Sequence, residues 1–176
     1  MNVTIIATLS SFLFLVVLWL AVGIRHLKQA KKGLDNSWEF VDEKIRKRHD
    51  TVPVLIECVR MEGVELGEIV ERAVAIRDQA RRNYFANGDK TSQEYELSKV
   101  IDEMVALGVK SEKVSRSTNF LEIKKDLEDL DTDIENRSRD YNETVRKYNE
   151  TIKFFVLLPF VYLLKLKKAL IFEFEK

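Results

Sequence analysis

The sequence has 176 residues but only one cysteine, two prolines, six glycines and two histidines. A lone cysteine excludes an internal disulfide. Cys58 sits among apolar residues and reads as a buried small hydrophobe. Sparse proline and glycine leave few places where a helix must stop, and 33% charged residues fit long helices with solvated outer faces. A zinc site needs three or four ligands at helical or turn spacing. Here the histidines are His26 and His49, and the cysteine lies nine residues beyond the second, so no such set assembles and no metal or cofactor is expected. There is no Gly-rich phosphate loop, no Gly-x-Ser-x-Gly elbow and no His-Glu-x-x-His helix. Net charge is missing too. The 29 basic and 29 acidic residues cancel, which argues against a general nucleic-acid binder and its basic stripe.

What is present begins at the N-terminus. Val3 to Ile24 carries no charged residue and is dominated by Ile, Leu, Val, Phe and Trp. Its 22 residues would span roughly 33 Å as a helix, about the hydrocarbon thickness of a bilayer. A cleaved signal peptide would carry a basic n-region, a shorter apolar core and a small-residue cleavage site. Met1 and Asn2 bring no side-chain charge, and Arg25-His26-Leu27-Lys28 does not resemble a cleavage site, so an uncleaved anchor is expected. Arg25, Lys28, Lys31 and Lys32 follow closely, and the positive-inside rule then puts the N-terminus outside and the body in the cytoplasm. The expected organisation is an anchor over 1–25, a basic juxtamembrane segment over 26–35, and a helical bundle over 36–176 that includes an apolar C-terminal segment, 154–172.

Beyond the anchor, Trp38, Val41, Ile45, Val52, Leu55 and Val59 alternate in threes and fours, with Arg48 at the missing seam position. This predicts an amphipathic helix that packs on a partner helix. Asn36 with Glu39 forms a candidate capping box. Alternatively, the apolar helix runs straight through, broken only weakly at Gly33. Pro53 removes a hydrogen bond and crowds the carbonyl of His49, which calls for either a kink or a restart capped by Asp50. A second helix is predicted over about 66–86, broken by Asn87-Gly88-Asp89. A third opens at a Thr91/Glu94 capping box, runs through Leu97, Ile101, Met104 and Val105, and is interrupted at Gly108.

The fourth is the longest, capped by Asn119 with Glu122. Phe120, Leu127, Ile134, Tyr141, Tyr148 and Phe155 recur every seven residues, with Ile123, Leu130, Arg137, Thr144 and Thr151 in the second seam position. About 36 residues of helix span roughly 54 Å, which suits an elongated bundle or coiled coil. Tyr-Asn-Glu-Thr occurs twice, at 141–144 and 148–151, one heptad apart. Tyr141 and Tyr148 are expected to face the same neighbouring helix, the Trp38–Val59 segment, with Arg48 as a hydroxyl partner. Asn142 and Asn149 are expected to bond across to a neighbouring helix. The apolar run around Pro159 is too short to span a bilayer. It is either a buried return segment or an interfacial helix with Lys165, Lys167 and Lys168 at the headgroups.

These residues together resemble the LemA family of bacterial membrane-anchored helical proteins. The resemblance is carried by the anchor, by Asn36-Ser37-Trp38 and Val41-Asp42, and most strongly by the run from Ile45 to Ile56 with its Arg48-His49-Asp50 and Pro53. It resumes at Asn119-Phe120-Leu121, Leu127, Ile134 and Arg139, passes through the paired Tyr-Asn run, and closes at Phe172-Glu173. The family usually has Phe-Pro directly after that run, whereas here Val156 follows Phe155 and the proline comes at Pro159. The resemblance implies an all-α, elongated antiparallel bundle on one transmembrane helix, and no established catalytic activity.

The function expected is therefore a non-enzymatic, membrane-tethered scaffold or interaction protein of a bacterial inner membrane. Its partners would be the bilayer, membrane or cytoplasmic proteins, and further copies of itself. The alternative is a lipid-contact or membrane-remodelling protein that returns residues 154–168 to the bilayer. Arg46, Arg48, His49 and Asp50 are expected to form inter-helix ion pairs or a polar cap around the Pro53 kink rather than a catalytic or metal site, since one imidazole and one carboxylate do not make one.

Overall fold

The computed structural model describes residues 2–86, 88–154 and 157–174, with side chains from residue 5 onward. All regular structure among these residues is helical: α1 (Asn2–Met61), α2 (Glu68–Arg82), α3 (Gly88–Lys110), α4 (Glu112–Arg116), α5 (Thr118–Thr151) and α6 (Leu158–Leu163). The chain is all-α, as its periodicity indicates. Asn87 and Phe155 lie outside the described residues.

Several expected helix boundaries are absent. α1 passes through Gly33 and Asn36 without a break, so Asn36 is a helix-interior residue and caps nothing. It also continues through Pro53, which lies on the exposed face with its ring out of the core, and Asp50 starts no new helix. α3 opens at Gly88, which places Thr91 inside its first turns and frees the Glu94 carboxylate for a different partner. α5 begins at Thr118, ahead of Asn119. Gly108 lies inside α3 rather than interrupting it. A Cβ there would come within 2.5 Å of the Phe120 ring, so glycine serves a close approach of α3 to α5. Gly63 and Gly67 supply the positive φ angles, 82° and 51°, of the turn between α1 and α2.

The residues form two compact units, 1–36 with 144–169 and 37–143 with 170–176. In the second unit, Trp38, Val41, Ile45, Val52, Leu55 and Val59 are all buried, as the seam in α1 requires. Leu97, Ile101 and Met104 of α3, Val114 of α4, and Phe120 and Leu127 of α5 join this core. The second seam of α5 is not the one its apolar residues suggest. Leu130 is half-buried and Arg137 exposed, whereas Asp131 and Ser138 are buried, as are Val145 and Ile152 further along. Two of those four positions are polar, which hides the pattern from a hydrophobicity reading.

In the first unit, α1 carries the apolar stretch, long and apolar enough to cross a membrane, with none of its best 18-residue window buried. Beyond it Leu27 and Leu34 are buried, together with Val145, Tyr148, Ile152, Leu157 and Phe160. α6 packs through Phe160, whose ring lies 4.6 Å from that of Trp19. It sits so close to Gly23 that a Cβ there would fall 2.6 Å from a ring carbon. After α6 the described chain has no regular structure.

Candidate functional site

The second unit encloses a cluster of charged side chains. Arg48 takes the seam position that α1 leaves free of an apolar residue, and His49 follows it. α3 contributes Lys90, Glu94 and Ser98, spaced four apart and so stacked on one helix face. α5 contributes Asp131. Arg48, His49, Lys90, Glu94 and Ser98 are at most 1% exposed, and Asp131 is 9% exposed.

Glu94 is the hub. His49 Nε2–H donates to both of its carboxylate oxygens, at 2.9 and 3.1 Å. An ionised carboxylate only accepts, so the ring proton sits on Nε2. Lys90 Nζ lies 3.2 Å from the same carboxylate and also donates to the Ala80 carbonyl at 2.9 Å. Arg48 Nη1 stands 3.9 Å from Glu94. The Arg48 guanidinium donates through Nε to Asp131 at 2.7 Å and through Nη2 to Ser98 Oγ at 2.9 Å. Burial by itself would raise the Glu94 pKa. The hydrogen bond and charge of His49, then the charges of Lys90 and Arg48, outweigh it and hold the carboxyl below its ordinary range. Arg48, Lys90 and His49 thus gather around the Glu94 and Asp131 carboxylates.

The sequence pointed to part of this cluster. Arg48 and His49 belong to it, and both contact carboxylates of other helices. Asp50 points elsewhere, to an exposed pair with Arg81 of α2 at 2.9 Å, and Pro53 takes no part. Lys90, Glu94, Ser98 and Asp131 were missed. The available signals were the four-residue spacing on α3 and the position of Asp131 between Leu127 and Ile134.

The Tyr-Asn pairs do something the heptad alone does not reveal. In the second unit Tyr141 is buried, with its ring 5.2 Å from Trp38, and its hydroxyl donates to the Leu170 carbonyl at 3.0 Å. Asn142 Nδ2 donates to the Phe172 carbonyl, and the Phe172 N–H donates back to Asn142 Oδ1, both at 2.8 Å. Phe172 is fully buried, 5.3 Å ring to ring from Trp38. In the first unit the same set recurs. Tyr148 donates to the Lys167 carbonyl at 3.1 Å, and Asn149 exchanges two bonds of 2.9 Å with Ala169. The partners are therefore the backbone of the C-terminal tail. The tyrosine hydroxyls donate to tail carbonyls where Arg48 was expected, and the asparagine amides bond to the tail backbone where a neighbouring helix was expected.

The sequence profile of the LemA family matches residues 37–176, from Ser37 within α1 to the end of the tail. The chain belongs to the LemA family. The matched stretch contains every member of the charged cluster, both Tyr-Asn pairs and the tail residues they hold. LemA membership thus covers the whole second unit, while the apolar part of α1 precedes the match. A comparison with curated proteins finds no match. LemA membership establishes the family and agrees with the all-helical fold, and it assigns no activity to the cluster.

Proposed function

We propose that this LemA-family chain is a non-enzymatic, membrane-tethered scaffold. The observation that carries the reading is the sealed cluster. Its opposed charges are spent on one another across α1, α3 and α5, and its members are buried away from a substrate. Buried ionic groups of this kind fix which faces of packed helices meet, and breaking one leaves an unpaired buried charge. The apolar start of α1 would hold the body at the membrane, with the cations after it placing that body on the cytoplasmic side.

Complementation of a deletion strain tests the reading, with His49→Gln and Glu94→Gln expressed at native level and the melting temperature of each purified protein measured. For a scaffold, loss of cellular function follows loss of fold. A variant that melts like the wild type yet fails to complement would contradict it.

A second reading has its own support, in α6. Phe160 is fixed against Trp19 and Gly23, six and two residues before Arg25, where the apolar run gives way to charge. Tyr162 and Leu163 of the same helix are exposed, at 84% and 68%, and Lys165, Lys167 and Lys168 follow. An apolar face beside the end of a membrane span, trailed by lysines, suits the headgroup boundary. This would add a lipid foot to the scaffold. Spin labels at Tyr162→Cys and Leu163→Cys, in a Cys58→Ser background in vesicles, should show interfacial depth. Full aqueous accessibility would refute the lipid foot.

A further inference from the structure

We propose that the paired Tyr-Asn motif is a reader of extended polypeptide backbone, occupied in cis by the chain's own C-terminal tail and in trans by the tail of a second copy. The proposal rests on the reading of the chain as an interaction protein and names its partner.

The chemistry is specific. A primary amide set against a peptide unit satisfies both the N–H and the C=O of one residue, which only asparagine or glutamine can do with one side chain. Asn142 does this to Phe172 and Asn149 to Ala169. In each case the preceding tyrosine donates to the carbonyl two residues earlier in the tail, at Leu170 or Lys167. The two instances share one register, each within its own unit. Such a device reads backbone and is indifferent to most side chains.

One side chain adds selectivity. Phe172 is fully buried against Trp38, whereas its neighbours Leu170 and Ile171 are 58% and 50% exposed. The tail has no regular structure of its own, and these hydrogen bonds tie it to side chains of α5. A segment held by the Phe172 ring, by the Phe174 ring 5.3 Å from the Arg48 guanidinium, and by a few partly buried hydrogen bonds belongs to the low end of local stability, where opening and exchange occur. A second copy anchored in the same plane offers an identical tail with the same phenylalanine in the same register. That is the occupant the complementarity favours.

The test uses full-length protein in detergent and a fluorescent peptide with the sequence of residues 164–176. The peptide should bind saturably, and more tightly to a Phe172→Ala protein whose resident tail is weakened. N-methylation of the peptide's Phe172 or Ala169 nitrogen changes no side chain and should weaken binding about 10-fold or more. Shuffling the peptide's residues other than Phe172 and Phe174 should have little effect. Equal binding of N-methylated and unmodified peptides overturns backbone reading, whatever the variants do. For the partner, a copy carrying Asn142→Ala and Asn149→Ala but an intact tail is co-expressed with a copy carrying Phe172→Ala but intact readers. Those two should co-purify, and neither should self-associate. Peptide binding without that pairing overturns the second copy as occupant. Failure of the peptide to bind would sink this proposal alone, because complementation judges the scaffold separately.

Discussion

Replacing Glu94 by glutamine keeps the shape of the side chain and removes its charge. In the folded protein that carboxylate receives His49 at 2.9 and 3.1 Å and Lys90 at 3.2 Å, with Arg48 at 3.9 Å. Without the charge, Arg48 keeps Asp131 and Lys90 keeps the Ala80 carbonyl, so two buried cations share one buried carboxylate. Removing one partner of a buried pair costs ~3–5 kcal/mol. The surviving contacts place Glu94→Gln near the lower figure, about 3 kcal/mol at neutral pH. The loss should also depend on pH. Because folding lowers the Glu94 pKa from its ordinary 4.5, its contribution is present above that value and fades as pH falls through the lower folded pKa. Wild type and variant should therefore differ most near neutrality and converge in acid. Denaturant titration of both full-length proteins, followed by circular dichroism at several pH values, measures this. A variant within about 0.5 kcal/mol of wild type at pH 7, or a difference that does not shrink in acid, would refute the account of the cluster.

Other outcomes follow from single contacts. Gly108→Ala drives a methyl into the Phe120 ring and should destabilise by ~1–3 kcal/mol in the same titration, through overpacking. Tyr141→Phe removes the bond to the Leu170 carbonyl and should cost about 1 kcal/mol. Tyr141→Ala should cost ~3–5 kcal/mol because the ring is buried beside Trp38. Gly23→Leu displaces Phe160 from α1 and should speed protease cleavage after the exposed Tyr162, read by mass spectrometry.

Helix content and the main seams were legible because they depend on periodicity. Trp38 to Val59 and Phe120 to Tyr148 follow threes, fours and sevens, and their burial agrees. Helix ends were less legible. Capping signals at Asn36, Thr91 and Asn119 are local preferences, and here packing carries the helices past them. The five-residue α4 is too short to show a period. The buried Asp131 and Ser138 break the hydrophobic pattern that marks a seam, so the charged cluster showed only its α1 half. The tyrosines and asparagines stand out in the sequence as a repeated pair. Their partners could not be read, because a tail without regular structure carries no period and its backbone offers the same groups at every residue.

The chain's two histidines permit a direct test of the sealed cluster. His26 is exposed and His49 has no exposed surface. Full-length protein is treated with diethyl pyrocarbonate under native conditions, and each site is quantified over time by mass spectrometry. The account predicts that His26 is modified and that His49 reacts only at the rate of global unfolding, with Glu94→Gln accelerating it. Modification of His49 in the folded protein at a rate close to that of His26 would show a cluster open to solvent and would contradict the structural role assigned to it.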